Sequence, residues 1–125
     1  MIPREYRKLW KPYRPHEGKV LYHLTTEVNL RNILKMGYLE PRDPAPRNWA
    51  GMKAIFMADP DDPKYEASLK NVFAHVKKKH KKITRLHIKP LGRLYKSIDP
   101  SRTFQVISLR PIPVENILEI EKVGL

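Results

Sequence analysis

Hydrophobic and polar positions along the chain fall into short blocks with two different periods. The block 19–24, Lys-Val-Leu-Tyr-His-Leu, reads as a strand entered through the turn at Gly18. Thr25 and Thr26 then offer N-cap hydroxyls, and Glu27 stands in a first helical turn, where the helix dipole favours an anion. Leu30, Ile33 and Leu34 recur at helical spacing, Lys35 falls in the last turn and Gly37 supplies the stop, which predicts a helix of about ten residues. A long irregular stretch, 38–52, comes next with Pro41, Pro44, Pro46, Trp49 and Gly51, a composition suited to a binding loop. Residues 54–58 (Ala-Ile-Phe-Met-Ala) form a wholly apolar strand candidate.

Beyond it, Asp62 and Pro63 have the types preferred at N-cap and N1 of a second helix. Leu69, Val72, Phe73 and Val76 give that helix an apolar stripe, and it closes in the cationic run 77–82. Strands are predicted at 83–88, 91–98 and 104–109, and Pro111 and Pro113 break the last of them. Residues 114–123 suit one helical turn and a closing strand. Strand and helix alternate only at first and then give way to several short strands. The pattern therefore indicates an α+β domain with two main helices and a mostly antiparallel sheet.

At 125 residues there is room for one core, and no sequence repeats itself. Residues 1–18 are set apart by Pro3, Pro12 and Pro15 and by cations interleaved with Tyr6, Trp10 and Tyr13, and read as a basic arm ahead of a domain spanning 19–125. Twenty-five Lys and Arg against thirteen Asp and Glu give a formal charge of +12, and the isoelectric point is near 10.0. Such an excess attracts polyanions, nucleic acid first among them. In the arm, Arg4, Arg7, Lys8, Lys11 and Arg14 are candidate phosphate contacts beside aromatic rings that could stack on bases. Lys77, Lys78, Lys79, Lys81 and Lys82 are a second candidate set, and they equally suit the negative end of a helix dipole.

A mean hydropathy of −0.58, with no long apolar run and no signal-like N-terminus, leads to the expectation of an intracellular, cytoplasmic protein without a membrane partner. The absence of cysteine removes disulfides, thiolate metal sites and cysteine nucleophiles. The five histidines lack convincing metal-ligand spacing, so no metal is expected. Neither a phosphate-binding Gly-rich loop ending in Lys-Ser/Thr nor a G-x-G-x-x-G opening is present.

One ordered set of short motifs remains. Tyr22-His23-Leu24-Thr25 precedes Asn29-Leu30, Ile33-Leu34 and Gly37. Gly51 is followed by Ile55-Phe56-Met57-Ala58-Asp59, Tyr65 comes soon after, and Phe104-Gln105-Val106-Ile107 precedes Pro111-Ile112-Pro113. In this order the motifs resemble the ADP-ribosyltransferase superfamily, across roughly residues 19–120. The resemblance implies a split antiparallel sheet and an NAD cleft lined by His23, Thr25, Phe56 and Gln105. In that cleft His23 would donate to a ribose hydroxyl, while Thr25 and the neighbouring Leu24 backbone hold the nicotinamide amide. Phe56 would stack on nicotinamide, Tyr65 would stand where the polymerase-like members also have a tyrosine, and Arg42 or Arg47 would meet pyrophosphate or an acceptor phosphate. Gln105 occupies the place of the usual catalytic glutamate and would orient the ribose. An amide there lacks the negative charge that stabilises an oxocarbenium-like transition state. Two other readings stay open: a nucleic-acid-binding module on a scaffold without turnover, and an activity like that of the RNA 2′-phosphotransferase branch, whose arginine Arg42 resembles. Each residue also has an ordinary structural role open to it, His23 as a satisfied strand-end histidine and Phe56 as core.

Overall fold

The computed structural model describes residues 10–42, 53–66, 83–100 and 102–123. The elements are β1 (Trp10–Tyr13), β2 (Leu21–Thr26), α1 (Glu27–Met36), β3 (Tyr38–Leu39), β4 (Ile55–Ala58), β5 (Ile83–Ile88), β6 (Leu94–Ser97), β7 (Gln105–Ser108), β8 (Ile112–Pro113), a 3-10 turn at Val114–Asn116, and β9 (Ile117–Val123). Seven strands make one sheet in the order β1-β6-β7-β4-β2-β5-β9, and β3 and β8 form a separate pair. Every pairing is antiparallel, so the chain is α+β with an antiparallel sheet and, among the described residues, one main helix. The body of the second predicted helix, from Leu69 to Lys82, lies outside the described residues. Its opening is visible: Asp62 Oδ1 accepts from the Lys64 backbone N–H at 3.0 Å and from the Thr103 hydroxyl at 3.0 Å.

Helix α1 obeys its sequence signals closely. The Thr26 hydroxyl accepts from the Asn29 N–H at 3.2 Å. Gly37 ends the helix at φ 90°, a left-handed conformation that a Cβ would disfavour, and its N–H reaches the Ile33 carbonyl. The buried stripe is narrower than the spacing predicted: Ile33 is buried, Leu30 packs partly against the core, and Leu34 is exposed. Leu34 lies about 100° around the helix from Ile33, beyond the width of sheet that a ten-residue helix covers.

Alternation sorts the sheet into two faces. Leu21, Ile55, Met57, Leu86, Leu94 and Val106 pack with Ile33 on the face covered by α1. Trp10, Ala54 and Ile107, joined by Phe56 and Tyr95, form a smaller cluster on the other face. Trp10 corrects the arm reading for residues 10–13, which form the edge strand β1, paired residue for residue with β6. The indole is buried at 3% exposure and has no face to offer a base. Pro12 is tolerated here because an edge strand leaves one row of N–H positions unpaired. Two further boundaries differ. Tyr38 and Leu39, read as loop, pair with Pro113 and Ile112, so the proline-marked break after β7 is itself a short strand. The first strand begins at Leu21 rather than Lys19, and Lys19 turns inward to an ion pair.

The sheet is divided at its centre. β2 shares six paired positions with β5, and β4 shares four with β7, but β2 and β4 meet at one only, Tyr22 with Ala58. At the closed end of that division Lys19, 7% exposed, pairs with Asp59 and with Asp61 Oδ2 at 2.6 Å. Burial pushes the Lys19 ammonium down, and the hydrogen bonds it donates to Asp59 and then Asp61 outweigh that, leaving a raised pKa.

Candidate functional site

The three strands that carry His23, Phe56 and Gln105 are neighbours, β2, β4 and β7, although 33 residues separate the first two in the chain. Antiparallel pairing alone brings them together. Where the β2–β4 ladder stops, the His23 imidazole fills the gap: Nδ1–H donates to the Phe56 carbonyl at 2.7 Å. Burial pushes the His23 pKa below its ordinary value of 6.5, and the bond to Phe56 restores only part of the shift. At neutral pH the ring is therefore uncharged, with the proton on Nδ1 and a lone pair on Nε2. This reverses the sense of the expected contact, since a neutral Nε2 can accept a hydrogen bond but has no proton to donate.

Strand alternation separates the side chains that the sequence put in one cleft. His23 and Thr25 share the helix-covered face with Leu21. Phe56, Ala58 and Gln105 lie on the other, Phe56 packing with Trp10 and Ile107 and Gln105 pairing across to Ala58. His23 thus meets the Phe56 backbone and not its ring, and the stacking surface assigned to Phe56 is shared with a hydrophobic cluster. Thr25 is buried opposite the buried Thr84, and Leu24 is half-buried. Tyr65 is also buried, on the Gln105 side, where its ring meets Tyr22 edge-on at 5.8 Å and its hydroxyl accepts from Arg85 at 3.1 Å. The structure does not bring Tyr65 to His23. Arg42 bridges Ala54 at the entrance to β4, with its guanidinium on Glu40 at 3.2 Å. Arg47, Arg4, Arg7, Lys8, Lys77, Lys78, Lys79, Lys81 and Lys82 lie outside the described residues.

Gln105 has one feature that bears on ligands. Its Oε1 is buried and meets no hydrogen-bond donor among the described residues. Leaving a buried acceptor unmatched costs about 1–3 kcal/mol, so the carboxamide is held ready for a donor from outside the fold or is a local weakness. It stands at one end of a row, Gln105–Ala58–Tyr22–His87–Glu119, that crosses the sheet from β7 to β9. Ala58 leaves a low point in that row between the carboxamide and the Tyr22 ring.

The far end of the row is a polar network that no sequence motif announced. Arg85 clasps Glu121 through Nε at 2.9 Å and Nη2 at 3.1 Å, and lies 4.9 Å above the centre of the Tyr22 ring. His87 Nε2 is 2.9 Å from the same carboxylate. The available signal was the alternation Arg85-x-His87 against Glu119-x-Glu121, two charged rows of period two that antiparallel neighbours place face to face. Hydrogen bonds from Arg85, then from His87, hold the Glu121 carboxyl down at about 2, against an ordinary 4.5. A carboxyl depressed in the folded state contributes stability above its unfolded value and loses it as the pH falls through the folded one. Acid titration is therefore expected to show a loss of stability between about pH 4.5 and 2 that is smaller in Arg85→Gln. An acid limb unchanged in that variant, measured by circular dichroism, would exclude any contribution from the network.

Among the described residues no group of three or more His, Asp and Glu is placed to hold a metal ion, and no helix is long and apolar enough to cross a membrane. No protein-family model, curated protein or solved structure matches the chain.

Proposed function

We propose that the chain binds NAD in an ADP-ribosyltransferase-like manner and acts on, or associates with, nucleic acid. The observation that carries this reading is the His23–Phe56 contact at the point where the central sheet divides. It gives a neutral imidazole whose Nε2 can accept from a ribose hydroxyl, next to a helix start capped by Thr26. The dinucleotide would lie at the mouth of the division between β2 and β4, beside the His23 ring that fills it. His23 would bind one ribose from the helix-covered side, and Gln105 would supply its unmatched carbonyl to a hydroxyl or amide donor on the other side. Arg42, at the mouth of β4, would exchange its contact with Glu40 for an anionic group of the dinucleotide. Thr25 contributes by positioning β2 through burial, and Tyr65 by steadying Arg85.

Gln105 also governs the chemical step once NAD is bound. A carboxamide brings no negative charge to an oxocarbenium-like transition state, so transfer would be slow relative to an enzyme with a carboxylate there. That residue favours the second reading, a nucleic-acid-binding module on the same scaffold without turnover.

Calorimetric titration of the full chain with NAD separates the two. Saturable heat that disappears in His23→Ala, with nucleic-acid binding retained in both proteins, is the expected result. Neither heat nor a shift in melting temperature at millimolar NAD would leave the binding module as the surviving reading.

A further inference from the structure

Residues 10–13 of the segment that composition marks as an arm have a fixed register in the structure. Lys11 of β1 stands directly opposite Lys96 of β6, and Arg14 follows and Arg93 precedes the Tyr13–Leu94 pair, just outside the two strands. Lys11, Arg14 and Arg93 are exposed, and among the described residues none of the three has a carboxylate within ion-pair distance, whereas Lys96 leans on Asp62 at 3.7 Å. Like charges opposed on neighbouring strands destabilise a sheet. Here one such pair, with two exposed arginines beyond the end of the ladder, lies along one edge of a chain already carrying +12.

We propose that the β1–β6 edge holds the phosphodiester backbone of single-stranded nucleic acid, with Lys11, Arg14, Arg93 and Lys96 as the phosphate contacts. The inference rests on the nucleic-acid half of the proposed function and is independent of the dinucleotide half. Lys11 and Lys96 share one face of the sheet as directly opposed residues, and the two arginines continue the row of cations past the end of the ladder. The four cations therefore line one stretch of the edge, along which a single backbone can run. About 10 Å of β-strand separates Lys11 from Arg14, so their long side chains reach different phosphates. The rigid register replaces the ordering of a flexible arm, which would otherwise oppose binding.

Fluorescence anisotropy with a labelled oligouridylate, measured against the full chain over a range of salt, tests this. Removing two phosphate contacts in Lys11→Gln/Arg14→Gln is expected to reduce the slope of log K against log salt by about 1.4 and to weaken binding several-fold at about 50 mM salt. Arg31→Gln/Lys35→Gln removes the same charge from exposed positions on α1 and is expected to leave the slope unchanged. Melting curves superimposable on wild type confirm that both double variants fold. Equal losses in both variants would overturn the edge and leave only a diffuse field, as would tighter binding of a duplex of equal length. Wild-type binding with an unchanged slope in Lys11→Gln/Arg14→Gln overturns the edge while the nucleic-acid reading stands. No binding by the wild-type chain overturns both.

Discussion

Lys19→Met is expected to destabilise the chain by about 3–5 kcal/mol, the usual cost of stranding one member of a buried ion pair. For a domain of this size that is a fall in Tm of about 10–20 °C. Lys19 is the only cation on Asp59 among the described residues, and the Asp59 side chain is 9% exposed, so water cannot replace the ammonium. Asp61, 75% exposed, is solvated without Lys19 and contributes little. The pair joins the entrance of β2 to the exit of β4 beside the lone Tyr22–Ala58 bridge, so its loss also loosens the point from which the sheet divides. Lys19→Met/Asp59→Leu should recover most of the stability, because the buried charge is gone. Urea titration of both variants at pH 7 reads the loss and its recovery; a loss below about 1 kcal/mol in Lys19→Met would show that Asp59 stays hydrated.

That pair illustrates what the sequence made legible. Local signals were read well where one segment settles its own geometry: Thr26, Glu27, Lys35 and Gly37 delimit α1, and Asp62 with Pro63 marks the turn before Lys64. The ion pair depends on β2 and β4 being antiparallel neighbours, a long-range choice with no local mark, so Lys19 looked like the first residue of a strand. Trp10 failed for the opposite reason. Its prolines and cations resemble a solvated arm, but pairing with β6 buries the ring, and tertiary packing decides over composition.

The candidate site divides along the same line. Bringing the His23, Phe56 and Gln105 strands together was an expectation drawn from motif order, and the sheet order has them adjacent. Which face each side chain takes is set by register, and a shift of one residue exchanges the faces. The sequence holds no turn that fixes the register of β2 against β4, since the intervening stretch is long. The opposition of His23 to Phe56 and Gln105 was therefore invisible, whereas the Arg85–Glu121 clasp left its mark in two charged rows of period two.

Gln105→Met sets stability against function at that opposed position. Methionine has nearly the length and volume of glutamine and no carbonyl to satisfy. Replacing an unmatched buried acceptor by an apolar group of the same shape is expected to raise stability by about 1–2 kcal/mol, where most core substitutions lower it. Natural chains retain such local weaknesses where a ligand completes them, so the same change should abolish the NAD-dependent rise in melting temperature. Stability and ligand response together assign the carboxamide its role. A more stable protein that no longer responds to NAD identifies Oε1 as an acceptor kept for the dinucleotide. A more stable protein with an undiminished response would place NAD on the His23 side alone, with Gln105 as an inherited flaw of the sheet. A less stable protein would mean that the carboxamide already has a donor in solution, and the two-sided gap would lose its second wall.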